Sequence, residues 1–191
     1  MFESTAYRTI LLLIVHVIVT VSIAWFLVWG FGQSQIMVGQ SMQPTIEPED
    51  KVIINRIEYH FSNPQRYDLI SYYMDDVIAD DLDAKDDDVP VPETTIKRII
   101  GLPGETVMIA NGKVYINGEP LKNNPQYDNI SLAGIADKPI TLEADEYFVV
   151  GDNHKASEDS RYEKTGNIRK YRIIGKVWFR TEPLKKFGRI K

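Results

Sequence analysis

The most conspicuous hydrophobic pattern is the apolar run over residues 10–31, ILLLIVHVIVTVSIAWFLVWGF, which contains no Asp, Glu, Lys or Arg. A helix needs about 20 such residues to cross the hydrocarbon core of a bilayer. Trp25, Trp29 and Phe31 lie towards one end of the run, as aromatic side chains do at a membrane interface. The pattern predicts a transmembrane anchor over 10–31, preceded by a short segment 1–9.

A cleaved signal peptide is the alternative interpretation of this run. Its apolar core would span roughly 7–15 residues and end at an Ala-x-Ala-like site. The run here is longer and no such alanine pair follows it, which favours a retained anchor. Charge does not decide the orientation of the anchor, because Glu3 and Arg8 precede it while Lys51 and Arg56 follow it.

Beyond the anchor, apolar residues occur in short runs that are rich in β-branched and aromatic types and are separated by Gly, Pro and Asn. Such runs predict strands over 51–57, 66–74, 94–102, 113–118, 146–152 and 172–180. The remaining chain shows no long helical periodicity. We therefore expect a mainly β fold, with an antiparallel β-sheet domain over 32–191. Within it, NGKVYINGE predicts a strand between two Asn-Gly turns.

The composition narrows the function further. The chain has 22 basic and 27 acidic residues, and this balance argues against a nucleic-acid partner. There is no cysteine, which excludes disulfides, thiolate zinc sites and a cysteine nucleophile. The histidines, His16, His60 and His154, form no close ligand pair, so we expect neither a metal nor a cofactor.

An acidic insertion occupies residues 75–93, with nine acidic residues and one lysine. Calcium binding is one interpretation, but the spacing does not fit an EF-hand loop and the glycine that such a loop needs is absent. We interpret the segment as a solvated excursion between two strands and assign it no chemistry.

Candidate chemistry begins with Ser41 in the stretch VGQSMQPT. The nucleophile elbow of α/β-hydrolases requires Gly-x-Ser-x-Gly, and the last glycine is missing here. A Ser-His-Asp triad would need His60 or His154 as the base, and neither lies in a context that suggests one. No Ser-x-x-Lys motif begins at Ser41.

A lysine base is a further alternative. Lys97 lies in TTIKRIIGLPGE among β-branched residues, where burial would lower its pKa towards the range a general base needs. The competing interpretation is an exposed lysine that protects a strand edge. The stretch GDNHKASEDSR over 151–161 follows an apolar strand and reads as a polar, turn-rich loop.

Together, VGQSMQPT, KRIIGLPGE and GDNHKASEDSR, in this order behind one anchor, resemble the bacterial type I signal peptidases, and most closely their Gram-positive form. These are membrane-anchored serine proteases with a Ser-Lys dyad. The resemblance implies a single-pass protein of the cell membrane, with segment 1–9 in the cytoplasm and 32–191 outside it. It also implies preprotein signal peptides as substrates, and the lipid bilayer and export machinery as partners.

The resemblance also assigns roles to individual residues. Ser41 matches the nucleophile, Lys97 the general base, and Ser157 the hydroxyl that orients the lysine amine. The supporting residues that match are the ion pair of Asp159 and Arg161, with Arg98 close by. Met42 and Ile96 match positions that line the substrate pocket; we add Met37 to this group, and expect the surface around Met37 and Met42 to reach lipid.

Three residues depart from the family pattern. Gly39 stands where some members have a serine whose hydroxyl helps to bind the oxyanion, His154 where many have arginine, and Tyr67 where many have glycine. Because serine-bearing relatives accept a side chain at the position of Gly39, we expect that its backbone does not require glycine. Two other functions remain as alternatives: a non-catalytic signal-peptidase-like assembly factor, as in pilus assembly, and a self-cleaving Ser-Lys repressor.

Overall fold

The computed structural model describes residues 2–74, 92–121 and 129–190. The N-terminal helix α1 (Phe2–Phe31) contains the predicted apolar run. Its segment Tyr7–Phe31 has a mean hydropathy of 2.7, and residues 7–29 are exposed. At about 1.5 Å per residue, these 25 residues exceed the roughly 30 Å thickness of a bilayer core. The helix is therefore long and apolar enough to cross a membrane.

The rest of the described chain is mainly antiparallel β-structure, as predicted. Besides the short helix α2 (Glu58–Phe61), its strands are β1 (Ser34–Ile36), β2 (Lys51–Asn55), β3 (Leu69–Tyr73), β4 (Thr94–Gly101), β5 (Thr106–Ala110), β6 (Lys113–Ile116), β7 (Glu119–Pro120), β8 (Ile140–Thr141), β9 (Glu146–Val150), β10 (Ile168–Arg169), β11 (Ile173–Glu182) and β12 (Gly188–Arg189). The larger sheet has the order β1-β2-β11-β3-β4-β9-β10, with β12 paired to β11. The smaller sheet has the order β7-β6-β5-β8.

The predicted strand between two Asn-Gly turns is β6. Asn111 and Gly112 precede it and Asn117 and Gly118 follow it, all with positive φ between 51° and 82°. Positive φ at both central residues is what a two-residue hairpin turn demands, and Asn-Gly adopts it readily. β6 pairs with β5 on one side and β7 on the other, which confirms the prediction.

Strand β4 connects the three clusters of the hydrophobic core. Ile96 belongs to one cluster, Ile99 to the second and Ile100 to the third, and all three side chains are fully buried. The strand lies between β3 and β9 in the larger sheet. The backbone of β4 is therefore fixed by a strand on each side, and a polar side chain on β4 has apolar neighbours.

The end of helix α1 is packed against the β domain. The Arg56 N–H donates to the carbonyl of Gly30 over 3.2 Å. A Cβ on Gly30 would lie only 2.0 Å from the Ile57 side chain, so the turn before α2 contacts the helix directly. On the other side, the rings of Phe31 and Trp178 lie 6.3 Å apart. The acidic insertion predicted over 75–93 falls, except for its last two residues, outside the described residues.

Candidate active site

Ser41 lies at the start of a tight turn that is anchored in the core. Met42 and Ile46 are fully buried, and the Ile46 N–H donates to the Met42 carbonyl over 2.9 Å. The Ser41 carbonyl accepts a 2.9 Å hydrogen bond from the Asn153 N–H. The serine is thus tied to the 151–161 loop, and it retains an exposed fraction of 9%.

The Lys97 amine lies beside this hydroxyl. Lys97 Nζ is 3.0 Å from Ser41 Oγ and 3.1 Å from Thr95 Oγ1. Only 3% of Lys97 is exposed, which excludes the edge-strand interpretation. Burial lowers its pKa to about 8. The negative charges of Asp159 and Glu158 act in the opposite direction and raise the pKa, but burial is the larger effect. A substantial fraction of the amine is therefore neutral, and able to accept a proton, near pH 8.

Ser157 lies in the 151–161 loop but does not hydrogen-bond to the lysine amine. It is 4% exposed, and its hydroxyl has no hydrogen-bond partner within the described chain. A Cβ built on Gly151 would lie 2.2 Å from Ser157 Oγ and 2.6 Å from the Ser41 carbonyl oxygen. The hydroxyl therefore lies against the Gly151 backbone. The hydroxyl beside Lys97 is that of Thr95, not Ser157 as the family resemblance implied.

The expected ion pair of Asp159 and Arg161 is present and completely buried. Arg161 Nε lies 2.7 Å from Asp159 Oδ1. Asp159 Oδ2 also accepts the Gly151 N–H over 2.9 Å, and Arg161 donates to the carbonyls of His154 and Ser157. One carboxylate and one guanidinium thus hold the backbone of the 151–161 loop in place.

A second buried ion pair joins strand β4 to the nucleophile turn. Arg98 binds Asp152 with two hydrogen bonds of 2.8 and 2.7 Å. Asp152 Oδ2 also accepts the Thr45 hydroxyl over 2.5 Å, and Arg98 donates to the Tyr67 carbonyl. The family resemblance places Arg98 near the site, but Asp152 was not predicted. The signal available was an acidic residue two positions after an apolar strand.

The three residues assigned to the substrate pocket, Met37, Met42 and Ile96, are core residues of one cluster. All three side chains are buried, and their role in substrate binding stays a prediction. Met37 and Met42 themselves are buried, and the exposed apolar surface beside Met37 is formed by its neighbours; contact of this surface with lipid stays a prediction. Chain alternation turns Met37 inwards and its neighbours Ile36 and Val38 outwards, with exposed fractions of 57% and 85%.

Two residues near the site have positive φ. Gly39 has a φ of +77°, with no heavy atom within 4 Å of a Cβ built on it. The expectation that its backbone does not require glycine is therefore wrong, because side-chain-bearing residues adopt this conformation at a cost. Tyr67, which replaces a glycine of the family pattern, has a φ of +72° and carries that cost.

The histidines hydrogen-bond to backbone carbonyls. Nδ1 of His154 pairs with the Gly151 carbonyl and that of His60 with the Arg56 carbonyl. The hydrogen-bond partner of the Ser41 hydroxyl is instead Lys97, which favours the lysine base over a triad. Across residues 2–74, 92–121 and 129–190, no group of three His, Asp or Glu side chains is placed to hold a metal.

Comparison with known proteins shows which family the chain resembles. The family model described as signal peptidase, peptidase S26, matches residues 8–181. A signal peptidase I from Leptolyngbya laminosa is 34% identical over 164 residues, covering 83% of this chain and 73% of that protein. A signal peptidase I from Bacillus caldolyticus is 31% identical over 165 residues, covering 80% and 81%. The crystal structure of a signal peptidase I from Enterococcus faecalis is 27% identical, covers 60% of this chain and 97% of that chain, and has a TM-score of 0.44.

Proposed function

This chain belongs to the signal peptidase family, peptidase S26, and on that premise we propose that it removes signal peptides from exported preproteins, with Ser41 as nucleophile and Lys97 as general base. One observation carries the proposal: the buried Lys97 amine lies 3.0 Å from the Ser41 hydroxyl. A serine hydroxyl is a poor nucleophile until a base takes its proton, and a lysine can do so only when it is neutral.

In the acylation step, Ser41 Oγ attacks the scissile carbonyl while neutral Lys97 takes the hydroxyl proton. The Ser41 N–H donates to no acceptor among the described residues, so it is available to the oxyanion of the tetrahedral intermediate. As the C–N bond breaks, the Lys97 ammonium returns its proton to the leaving amine. The signal peptide stays on Ser41 as an ester, and the mature protein departs.

In the deacylation step, neutral Lys97 takes a proton from a water molecule that attacks the ester carbonyl. Collapse of the second tetrahedral intermediate breaks the bond to Ser41 Oγ, which recovers its proton from Lys97. The signal peptide then leaves with a free carboxyl group. No metal or cofactor takes part in this sequence.

The proposed membrane arrangement is the one that the family resemblance implies, and the length and apolar character of α1 support it. Helix α1 spans the bilayer, residues 1–9 begin on the cytoplasmic side, and 32–191 lie outside. Ser41 is ten residues beyond Phe31, so an extended chain of about 3.3 Å per residue would limit its height above the membrane. A signal peptide held in the same bilayer by the export machinery would expose its cleavage site within this layer, which favours encounter.

The test incubates the purified full chain, in phospholipid vesicles, with a preprotein and follows release of the signal peptide. We expect cleavage by the wild type and none by Ser41→Ala or Lys97→Arg, because a guanidinium stays protonated and cannot accept a proton. Each variant is first checked for an unchanged melting temperature. Cleavage by folded Lys97→Arg would refute the dyad. Binding of the preprotein without cleavage by the wild type would favour the assembly-factor alternative.

A further inference from the structure

Besides Ser41, the Lys97 amine contacts the hydroxyl of Thr95. The family resemblance implied Ser157 in this place. The amine lies 3.1 Å from Thr95 Oγ1, whereas the hydroxyl of Ser157 has no hydrogen-bond partner in the described chain. Thr95 and Lys97 are two residues apart on β4, so their side chains project from the same face of the sheet.

The strand fixes this contact. Thr95 pairs with Tyr72 and Lys97 with Ile70 in the register between β4 and β3. The separation of the hydroxyl and the amine is therefore set by paired backbone, while Ser157 sits in a loop. A lysine stem has four rotatable bonds. An acceptor on the same strand restricts the directions in which the amine can point.

The chemistry of the amine requires such a restriction. A neutral amine has two N–H donors and one lone pair, and only the lone pair can take the Ser41 proton. If one N–H donates to Thr95 Oγ1, rotation about the last bond of the stem is limited and the lone pair can face Ser41. The hydroxyl can also accept from the ammonium form, since each of its three N–H groups is a donor.

Thr95 also borders open space. It lines a cavity of about 250 Å³ together with Tyr72, Glu158 and Lys164, and Lys97 is not among the lining residues. A valine at this position would keep the bulk of the side chain beside the cavity, so loss of the hydroxyl can be tested separately from loss of bulk.

We propose that Thr95 is a positioning residue, whose hydroxyl holds the Lys97 amine in the direction from which it deprotonates Ser41. The inference rests on the proposed function of the Ser41–Lys97 pair. It assigns to β4 a role that the family resemblance gave to the 151–161 loop.

The test compares Thr95→Val and Thr95→Cys with Thr95→Ser, all in the full chain with a preprotein substrate. Valine preserves the shape but has no hydroxyl, and a thiol is only a weak acceptor. We expect kcat to fall about tenfold to a hundredfold for both, because a base misplaced by about 1 Å loses up to that much. KM should stay unchanged, and Thr95→Ser should retain most activity.

The pH profile separates positioning from a purely structural role. A hydroxyl that accepts from the ammonium form favours that form, so its removal should move the acidic limb of kcat/KM to lower pH, by about one unit. Thr95→Ser should keep the wild-type limb. Thr94→Val is the matched control, since Thr94 is exposed and its side chain projects from the opposite face of β4.

The outcomes distinguish this inference from the proposed function. The inference is overturned if folded Thr95→Val or Thr95→Cys keeps both the wild-type kcat and the wild-type limb while Ser41→Ala is inactive. It is also overturned if Thr94→Val or Thr95→Ser loses as much kcat as Thr95→Val. Undiminished cleavage by Ser41→Ala would instead remove the proposed function, and this inference with it.

Discussion

Lys97 is a charged residue type held where little water reaches it. Its neighbours on β4, Ile96 and Arg98, are buried too, and the dominant effect on the amine is the loss of hydration. Desolvation disfavours the charged form, so the pKa falls to about 8, well below the usual value for a lysine of about 10.4. The fold thereby gives the proposed base a lowered pKa without a histidine.

Activity should therefore depend on the protonation of Lys97. Below a pKa of about 8 the amine is mostly charged and cannot accept a proton, so the acidic limb of kcat/KM should lie near pH 8. Two pH units lower, the rate should be about a hundredfold smaller. The measurement is preprotein cleavage from pH 6 to 10. A double variant, His60→Ala with His154→Ala, should retain the limb; its disappearance there would implicate an imidazole.

Gly39 is a second residue whose type is set by the local structure. We expect Gly39→Ala to lower the free energy of unfolding by about 1–2 kcal/mol, the cost of a left-handed conformation for a residue with a Cβ. No clash adds to it, because the space around the new Cβ is open. Gly39→Asn should cost less, since asparagine tolerates positive φ. Denaturant unfolding measures both; equal stability of the glycine and alanine proteins would contradict the conformational reason.

The sequence was enough to locate Ser41 and Lys97, because each lies in a short stretch whose order along the chain is distinctive. It was not enough to find Thr95 or Asp152. The contact of Arg98 with Asp152 joins residues 54 positions apart, and it depends on the register in which Arg98 pairs with Val150. No local pattern encodes that register, so partners across strands become visible only in the structure.

Among the elements, strand β4 is where core and chemistry meet. One face of the strand carries Lys97 towards Ser41, and the other carries Arg98 towards Asp152. Asp152 in turn accepts the Thr45 hydroxyl from the nucleophile turn. A single strand thus fixes both the base and, through an ion pair, the turn that presents the nucleophile.

Asp152→Asn should test this connection. The substitution removes the negative charge opposite Arg98, and breaking a buried pair costs about 3–5 kcal/mol of stability. Activity should fall as well, because the turn at Thr45 loses an acceptor. Asp145→Asn is the control: its pair with Arg169 is exposed and 3.5 Å long, so it should cost no more than about 1 kcal/mol. Similar stability losses in the two variants would contradict the structural role of Asp152.

The strands were predictable from the sequence where they were long enough to show a run of β-branched and aromatic residues. All six predicted strands occur, most with shorter ends. β5 (Thr106–Ala110) was missed because its apolar run is short and starts directly after the Leu-Pro-Gly-Glu turn. Strands of two or three residues, such as β8 and β12, contain no period to detect and exist only because longer neighbours pair with them.

For the whole molecule, the contact that fixes the β domain relative to α1 lies at the end of the helix. Gly30 allows the Ile57 side chain to approach the helix backbone closely. The Arg56 hydrogen bond and the Phe31–Trp178 ring contact secure the same junction from two sides. The domain that carries Ser41 is therefore held against α1 and not suspended from a loose linker.

Gly30→Leu should separate membrane positioning from chemistry. The larger side chain would collide with Ile57, since even a Cβ lies within 2.0 Å of it. We expect weaker cleavage of a membrane-embedded preprotein, roughly tenfold or more by misplacement, but unchanged cleavage of a short soluble peptide. Adding Ile57→Ala to Gly30→Leu should restore room and activity. Equal losses on both substrates would mean that the junction supports the active site itself.

Because α1 is exposed over residues 7–29, the enzyme and an anchored preprotein would meet by lateral diffusion within the bilayer. The relevant concentration is then the number of molecules per unit area of bilayer. Adding empty lipid that fuses with the vesicles should slow cleavage in proportion to the added surface, whereas diluting the same vesicles with buffer should leave the rate per vesicle unchanged. The cleavage rate would therefore depend on the number of molecules per unit area of membrane and not on the volume of the surrounding solution.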